Sequence, residues 1–195
     1  VPRITAASVA EHRRQQREAL LAAARDLLSS GGTKALTFPA LAERTGLARS
    51  SVYEYFRSRG AVVEALCAAD FPRWAAEVEE AVRAATTPRA QLEAYVRAQL
   101  ALAGDARHQA VVAIAAAELD TGAREQIRAA HGSLVDLVVT VLAELGHPDP
   151  RLSAVLLQGV VDAAVRRAAL GVEERALVAE NAVSLALRGA AGSLP

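Results

Sequence analysis

The sequence predicts an all-α protein in two parts, an N-terminal three-helix head carrying a helix-turn-helix and an α-helical body behind it. Three observations carry that expectation. The 195 residues are rich in alanine, leucine, arginine and glutamate, which favour helix, and they hold no alternating β-branched runs punctuated by turn residues. Apolar residues recur at three- and four-residue spacing through most of the chain, with glycine and proline at intervals suited to short helix connections. Charge is also uneven: residues 1–60 hold ten Lys+Arg against five Asp+Glu, whereas residues 61–195 hold twelve against seventeen, although the whole chain is neutral. A basic head and an acidic body suit a protein that presents one end to a polyanion and keeps the rest off it.

Taking the elements in order, Ser8 and Glu11 form a capping box, so helix one is expected from about Val9 with residues 1–8 as a loose arm. Leu20, Leu21, Ala24, Leu27 and Leu28 make its buried stripe and Gly31-Gly32 ends it. Its exposed half carries Arg13, Arg14 and Arg17, spaced to meet a phosphate backbone. The stretch TFPALAERTGLARSSVYEYF, Thr37 to Phe56, then holds two short helices around a turn. Thr37 is placed to cap the first, Pro39 falls in its first turn where no helical hydrogen bond is lost, and Gly46 supplies the positive φ of the reversal. The second runs from about Ala48 to Tyr55, with Leu47, Val52 and Phe56 inward and Arg49, Ser50, Tyr53 and Tyr55 facing elsewhere. So short a helix must be held by packing, which frees its outer residues for another task. An arginine, small hydroxyls and tyrosines suit a helix laid in a major groove, where arginine bonds guanine edges or phosphates and tyrosine hydroxyls reach phosphates.

Ser58 is expected to cap a longer helix that kinks or breaks at Pro72, after which Trp74, Val78 and Val82 continue the apolar side. Thr87-Pro88 opens a helix over about Arg89 to Ala103 that ends at Gly104-Asp105, and another follows to Leu119. Thr121-Gly122 marks a boundary, and the turn Gly146 to Pro150 precedes two last helices, about Arg151 to Leu170 and Glu173 to Arg188, with a frayed tail from Gly189. The domains expected are 1–59, including the arm, and 60–195.

On these residues the segment GLARSSVYEYFRSRGAVVEAL resembles the DNA-binding signature of the TetR (TetR/AcrR) transcriptional regulators, the likeness covering roughly Val9 to Leu66. The resemblance implies that Arg49, Ser50, Ser51 and Tyr53 approach bases and backbone, that Tyr55 and Arg59 hold phosphates, and that Thr37 anchors the first helix to the backbone. Three positions depart from the pattern: Ala48 stands where a serine cap is usual, Pro39 where a polar reading residue is common, and Glu54 brings an acid near the phosphates. No relative's operator sequence can therefore be borrowed. The family further implies a small-molecule pocket in the body, and the polar or aromatic residues on apolar faces that could line it are Trp74, Tyr95, Gln99, His108, His131, Gln158 and Asp162.

The segments LVDLVVTVLAEL and RLSAVLLQGVVDAAVRRAAL are apolar round more of their circumference than one core needs, with Ala154, Gly159, Ala163 and Ala164 small enough for close helix approach. A homodimer on a palindromic operator in double-stranded DNA follows, with two reading helices about one helical turn apart. The function expected is a sequence-specific transcriptional regulator, a repressor released by a small organic ligand; the alternative is a helical adaptor or ligand-binding protein whose reading head has decayed. No catalytic motif is present, one cysteine and four scattered histidines offer no metal site, and no cofactor is expected. No apolar run is long enough to span a membrane, the start VPRITAAS lacks a signal-peptide core and Cys67 has no disulfide partner in the chain, so a cytoplasmic location is expected.

Overall fold

The computed structural model describes residues 6–122, 132–168 and 172–190. Among these are nine α-helices, one 3₁₀ turn at Thr33–Ala35, and no strand. Numbered in order, they are α1 (Ala6–Gly31), α2 (Phe38–Thr45), α3 (Arg49–Tyr55), α4 (Arg59–Ala84), α5 (Pro88–Gly104), α6 (Ala106–Glu118), α7 (Gly132–Glu144), α8 (Pro150–Ala168) and α9 (Val172–Ala190). The chain forms two compact units. Described residues up to Ala69, with Gln109 to Gly122, make one; Asp70 to His108, with the described residues from Gly132 onward, make the other. Both α4 and α6 therefore contribute residues to each unit.

In the first unit α1 buries Leu20, Leu21, Ala24, Leu27 and Leu28, the stripe its periodicity predicts, and the same core takes Leu41, Val52, Phe56, Val62, Val63 and Leu66. Complete burial of one such side chain contributes about 1.5–3 kcal/mol, which is how helices of seven and eight residues persist here. The N-terminus corrects one expectation. Helix α1 already runs from Ala6, so residues 6–8 belong to the helix, and the Glu11 carboxylate accepts from Arg14 and, at 2.9 Å, from Gln15. Pairs three and four residues along a helix face compete well with a reach back to the cap.

In the second unit α5 is the central helix, contributing Leu92, Tyr95, Val96 and Leu100 to a core shared with Val78 and Val82 of α4, Leu134, Val138, Val141 and Leu142 of α7, Ala154, Leu157 and Val161 of α8, and Ala182, Val183 and Ala186 of α9. Its ends are those the sequence announces: the Thr87 hydroxyl accepts from the Ala90 N–H at 3.2 Å and α5 stops at Asp105, whose carboxylate in turn caps α6 through the His108 N–H at 2.8 Å.

Pro72 does not break the helix. α4 continues through it for 26 residues, held by buried Cys67 and Phe71 before it and by Val78 and Val82 after it, and the exposed proline leaves its lost hydrogen bond on the solvent side. The division between the two units nevertheless falls at Ala69–Asp70, within the turn that Pro72 weakens. Three smaller differences follow. The break after α6 lies at Leu119 and Asp120 while Thr121 and Gly122 are helical; Gly189 and Ala190 still belong to α9; and the last two helices begin one residue before their expected starts, the expected end at Leu170 lying outside the described residues.

Leu152, Val155 and Leu156 on α8, with Leu177 and Leu185 on α9, stand exposed. Of the small residues expected at a helix contact, Ala154 and Ala164 are used by the chain's own core, whereas Gly159 and Ala163 lie on the exposed side. Beside Leu156 and Leu185 lies an apolar hollow of about 230 Å³, lined also by Leu142, Leu157, Val160 and Ser153.

Candidate functional site

The reading head is set by local chemistry. Thr37 adopts extended backbone and its hydroxyl accepts from the Ala40 N–H at 3.3 Å, capping α2 with Pro39 in the first turn. At the other end Gly46 is left-handed, φ 70°, ψ 13°, and the Leu47 N–H bonds the Ala42 carbonyl at 3.1 Å. That reversal brings α3 onto α2. Ala48 starts α3 through its backbone alone, its carbonyl accepting from Ser51 at 3.0 Å and Val52 at 3.3 Å, with no side-chain cap. Val52, fully buried, and Phe56, 3% exposed, fix the inner face.

What remains outside on α3 is Arg49, Ser50, Tyr53 and Glu54. Arg49, Ser50 and Tyr53 are exposed and Ser51 and Tyr55 half-buried, so five of the seven residues implicated in DNA contact lie along one short helix, with Thr37 at the start of the helix before it. Two tyrosines are supported from behind. The Tyr53 ring, 57% exposed, packs on Phe38 with centroids 4.5 Å apart and an interplanar angle of 56°. The Arg13 guanidinium sits 5.7 Å from the Tyr55 ring centroid, and Arg17 stands 5.5 Å over Phe56. The basic run of α1 is thus brought to the end of α3, and the Phe38 ring under Tyr53 is a contact that the sequence reading did not anticipate. Its signal was an aromatic in the first turn of α2, where no buried position required one.

Arg59 does something other than expected. Its guanidinium donates to the Thr33 carbonyl and pairs with Glu118 at 3.2 Å, so it ties the 3₁₀ turn before α2 to the end of α6. Its Nε is buried without a partner among the described residues. A side chain committed in this way joins parts of the head to one another, and it is not presented as a free phosphate ligand.

Of the body residues, the structure gathers Tyr95, Gln99, Gln158 and Asp162. The Tyr95 hydroxyl donates to the Gln158 side-chain carbonyl, and the Gln158 amide donates to Gln99 at 3.1 Å and to Asp162 at 2.9 Å. Burial pushes the Tyr95 hydroxyl up to about 12, and the charge of Asp162 acts in the same direction. Gln99 Nε2 is buried with no partner among the described residues. Trp74 and His108 meet edge to face at 4.4 Å, with Phe71 5.2 Å from Trp74. His131 lies outside the described residues. None of the six described candidates lines the apolar hollow between α8 and α9. Among the described residues no cluster of His, Cys, Asp or Glu could hold a metal ion, and no helix is long and apolar enough to cross a membrane.

A basic three-helix head that ends in a supported, outward-facing reading helix, followed by an all-helical second unit, defines a helix-turn-helix transcriptional regulator. Comparison with known proteins agrees for the head: residues 20–66 match the model of the bacterial regulatory proteins of the tetR family. No curated protein sequence matches it. Solved structures share its fold over nearly their whole length. A protein of unknown function from Rhodococcus sp. RHA1 is 26% identical, with a TM-score of 0.75 over 91% of this chain and 96% of that one. The transcriptional regulator FadR from Bacillus subtilis, in complex with stearoyl-CoA, is 18% identical, with a TM-score of 0.71 over 88% and 98%. AibR in complex with isovaleryl coenzyme A and operator DNA is 16% identical, with a TM-score of 0.66 over 88% and 98%.

Proposed function

We propose that this protein is a homodimeric repressor that binds a palindromic operator through Thr37, Arg49, Ser50, Ser51, Tyr53 and Tyr55 and is released by a small organic ligand held in the body. The observation that carries the reading is α3 itself: seven residues long, anchored by Val52 and Phe56, with an outer face of exposed side chains that the fold does not use. The functional division is a DNA-binding domain over residues 1–59 and a ligand and dimer domain over 60–195. Its activity is binding and not catalysis, carried out in the cytoplasm where the DNA lies. Against a decayed adaptor stands the supported pair of tyrosines, since an unused surface has no reason to keep them braced.

The dimer reading rests on the exposed stripe of α8 and α9. A Cβ added at Gly159 would meet nothing within 4 Å among the described residues beyond its own stretch of helix, yet glycine inside a helix costs about 1 kcal/mol relative to alanine. The space it leaves suits a second α8 crossing at that point, flanked by Val155, Leu156 and Ala163. Ligand candidates fall in two groups, the Tyr95, Gln99, Gln158, Asp162 network and the Trp74, His108 pair, with His131 as a seventh. FadR and AibR carry acyl-CoA thioesters, and an apolar organic ligand is proposed here also. Thermal-shift titration with an acyl-CoA series tests it directly.

The DNA reading is tested by fluorescence anisotropy on a pool of palindromic duplexes across a salt series. Arg49→Ala and Tyr53→Ala each weaken the preferred duplex by about 1–3 kcal/mol, with Arg49→Ala relaxing base preference. Flat, sequence-blind binding unaltered by both would instead support the adaptor.

A further inference from the structure

Successive helical residues step about 100° round the axis, so with Val52 buried, Ser50 and Glu54 each lie about 160° from it, at the centre of the outer face of α3. Arg49 and Tyr53 fall to one flank; Ser51 and Tyr55, both half-buried, fall to the other. The longer of the two side chains at the centre of that face is therefore an acid. Glu54 is exposed, and no described residue pairs with it. It also sits in the last turn of α3, where the helix dipole disfavours a negative charge. Nothing in the fold rewards this carboxylate, and the phosphates of a duplex would repel it.

The floor of the major groove offers a carboxylate two kinds of hydrogen-bond donor, the exocyclic amines of cytosine and adenine. Adenine N6 is flanked by two acceptors, its own N7 and the thymine O4, whereas cytosine N4 has an acceptor on one side only. Ser50, four residues earlier on the same line, is small enough to let the backbone of α3 approach the groove and bring Glu54 to the base edges. Resting on the DNA-reading assignment above, we infer that Glu54 is a specificity-determining residue that accepts a hydrogen bond from the N4 amine of a cytosine in each half-site. It selects that base by attraction, and rejects thymine there because the thymine O4 would face its carboxylate.

The test is selection from a randomised palindromic duplex pool with the native chain, Glu54→Ala and Glu54→Gln, followed by anisotropy on the selected duplexes at several salt concentrations. Native selection is expected to fix a cytosine that Glu54→Ala no longer distinguishes, with affinity for the native site falling about 5- to 150-fold and the salt slope unchanged because no phosphate contact is altered. Glu54→Gln is expected to move the preference at that position toward adenine, whose N6 and N7 suit an amide. If both variants select the native sequence, whether with equal affinity or with affinity raised by a common factor on every duplex, Glu54 is only a repulsive neighbour of the backbone and the inference is overturned. A native chain with no sequence preference at all would remove the DNA-reading assignment itself, a different failure from the first.

Discussion

Tyr95 shows what one buried polar group does to the body. It is 1% exposed, its hydroxyl is held by Gln158, and its ionisation is pushed up to about 12 from the ordinary value of 10.0. The folded state thus keeps this proton more tightly than the unfolded chain, so the contribution to stability is fully present below pH 10.0 and is lost as pH rises toward about 12. Two pH units correspond to about 2.7 kcal/mol at most. Tyr95→Phe is expected to flatten the alkaline limb of a urea-unfolding series over that window, at the cost of leaving the Gln158 carbonyl without its donor. An alkaline limb equally steep in both proteins would show that other groups control it. Arg59 is the opposite case at the same scale. Its position in the helix-turn-helix signature suggests a phosphate ligand, but Glu118, 59 residues later, and the Thr33 carbonyl take its guanidinium. A partner so distant leaves no local trace in the sequence.

The helix-turn-helix works as an element because its two short helices brace one another. Thr37 and Gly46 were legible because each acts on backbone within five residues of itself: a hydroxyl near an N–H, and a φ of 70° that glycine adopts without strain. Bracing across α2 and α3 is a different matter. Phe38 is half-buried and its ring supports that of Tyr53, a contact between residues fifteen positions apart. Phe38→Ala is expected to leave the helical circular-dichroism signal intact and to lower operator affinity about 5- to 10-fold, since a freed Tyr53 must be ordered on binding. Phe38→Leu should restore part of it. Unchanged affinity in Phe38→Ala would show that Tyr53 needs no support. The helix through Pro72 teaches the same lesson in reverse, because proline reads as a break in any local analysis while buried side chains on both sides of it carry α4 onward.

At the scale of the molecule, the exposed stripe on α8 and α9 predicts how two chains meet. Leu156 and Leu185 are 62% and 61% exposed in the single chain, so a charge at either position costs the monomer little. In the proposed dimer the same charge would be buried without a partner, at several kcal/mol. Leu156→Glu and Leu185→Glu are expected to sediment as one chain at micromolar concentration where the native protein sediments as two. They should also lose operator affinity with their heads intact, because a single reading helix spans too few base pairs. A native mass of one chain would end the dimer proposal.

Legible along the chain is whatever depends on period and on near neighbours: an all-α chain, the stripe of α1, the cap and turn of the reading head, the ends of α5, and the outward placement of Arg49, Ser50 and Tyr53. Helical spacing and capping are properties of a few consecutive residues, and a sequence states them directly. It takes the folded chain to show that Arg59 turns inward to Glu118, that Arg13 reaches Tyr55, and that Tyr95, Gln99, Gln158 and Asp162 form one network. Those pairings join helices that packing alone brings together, and no pattern of short range encodes which residue across a core a side chain will meet.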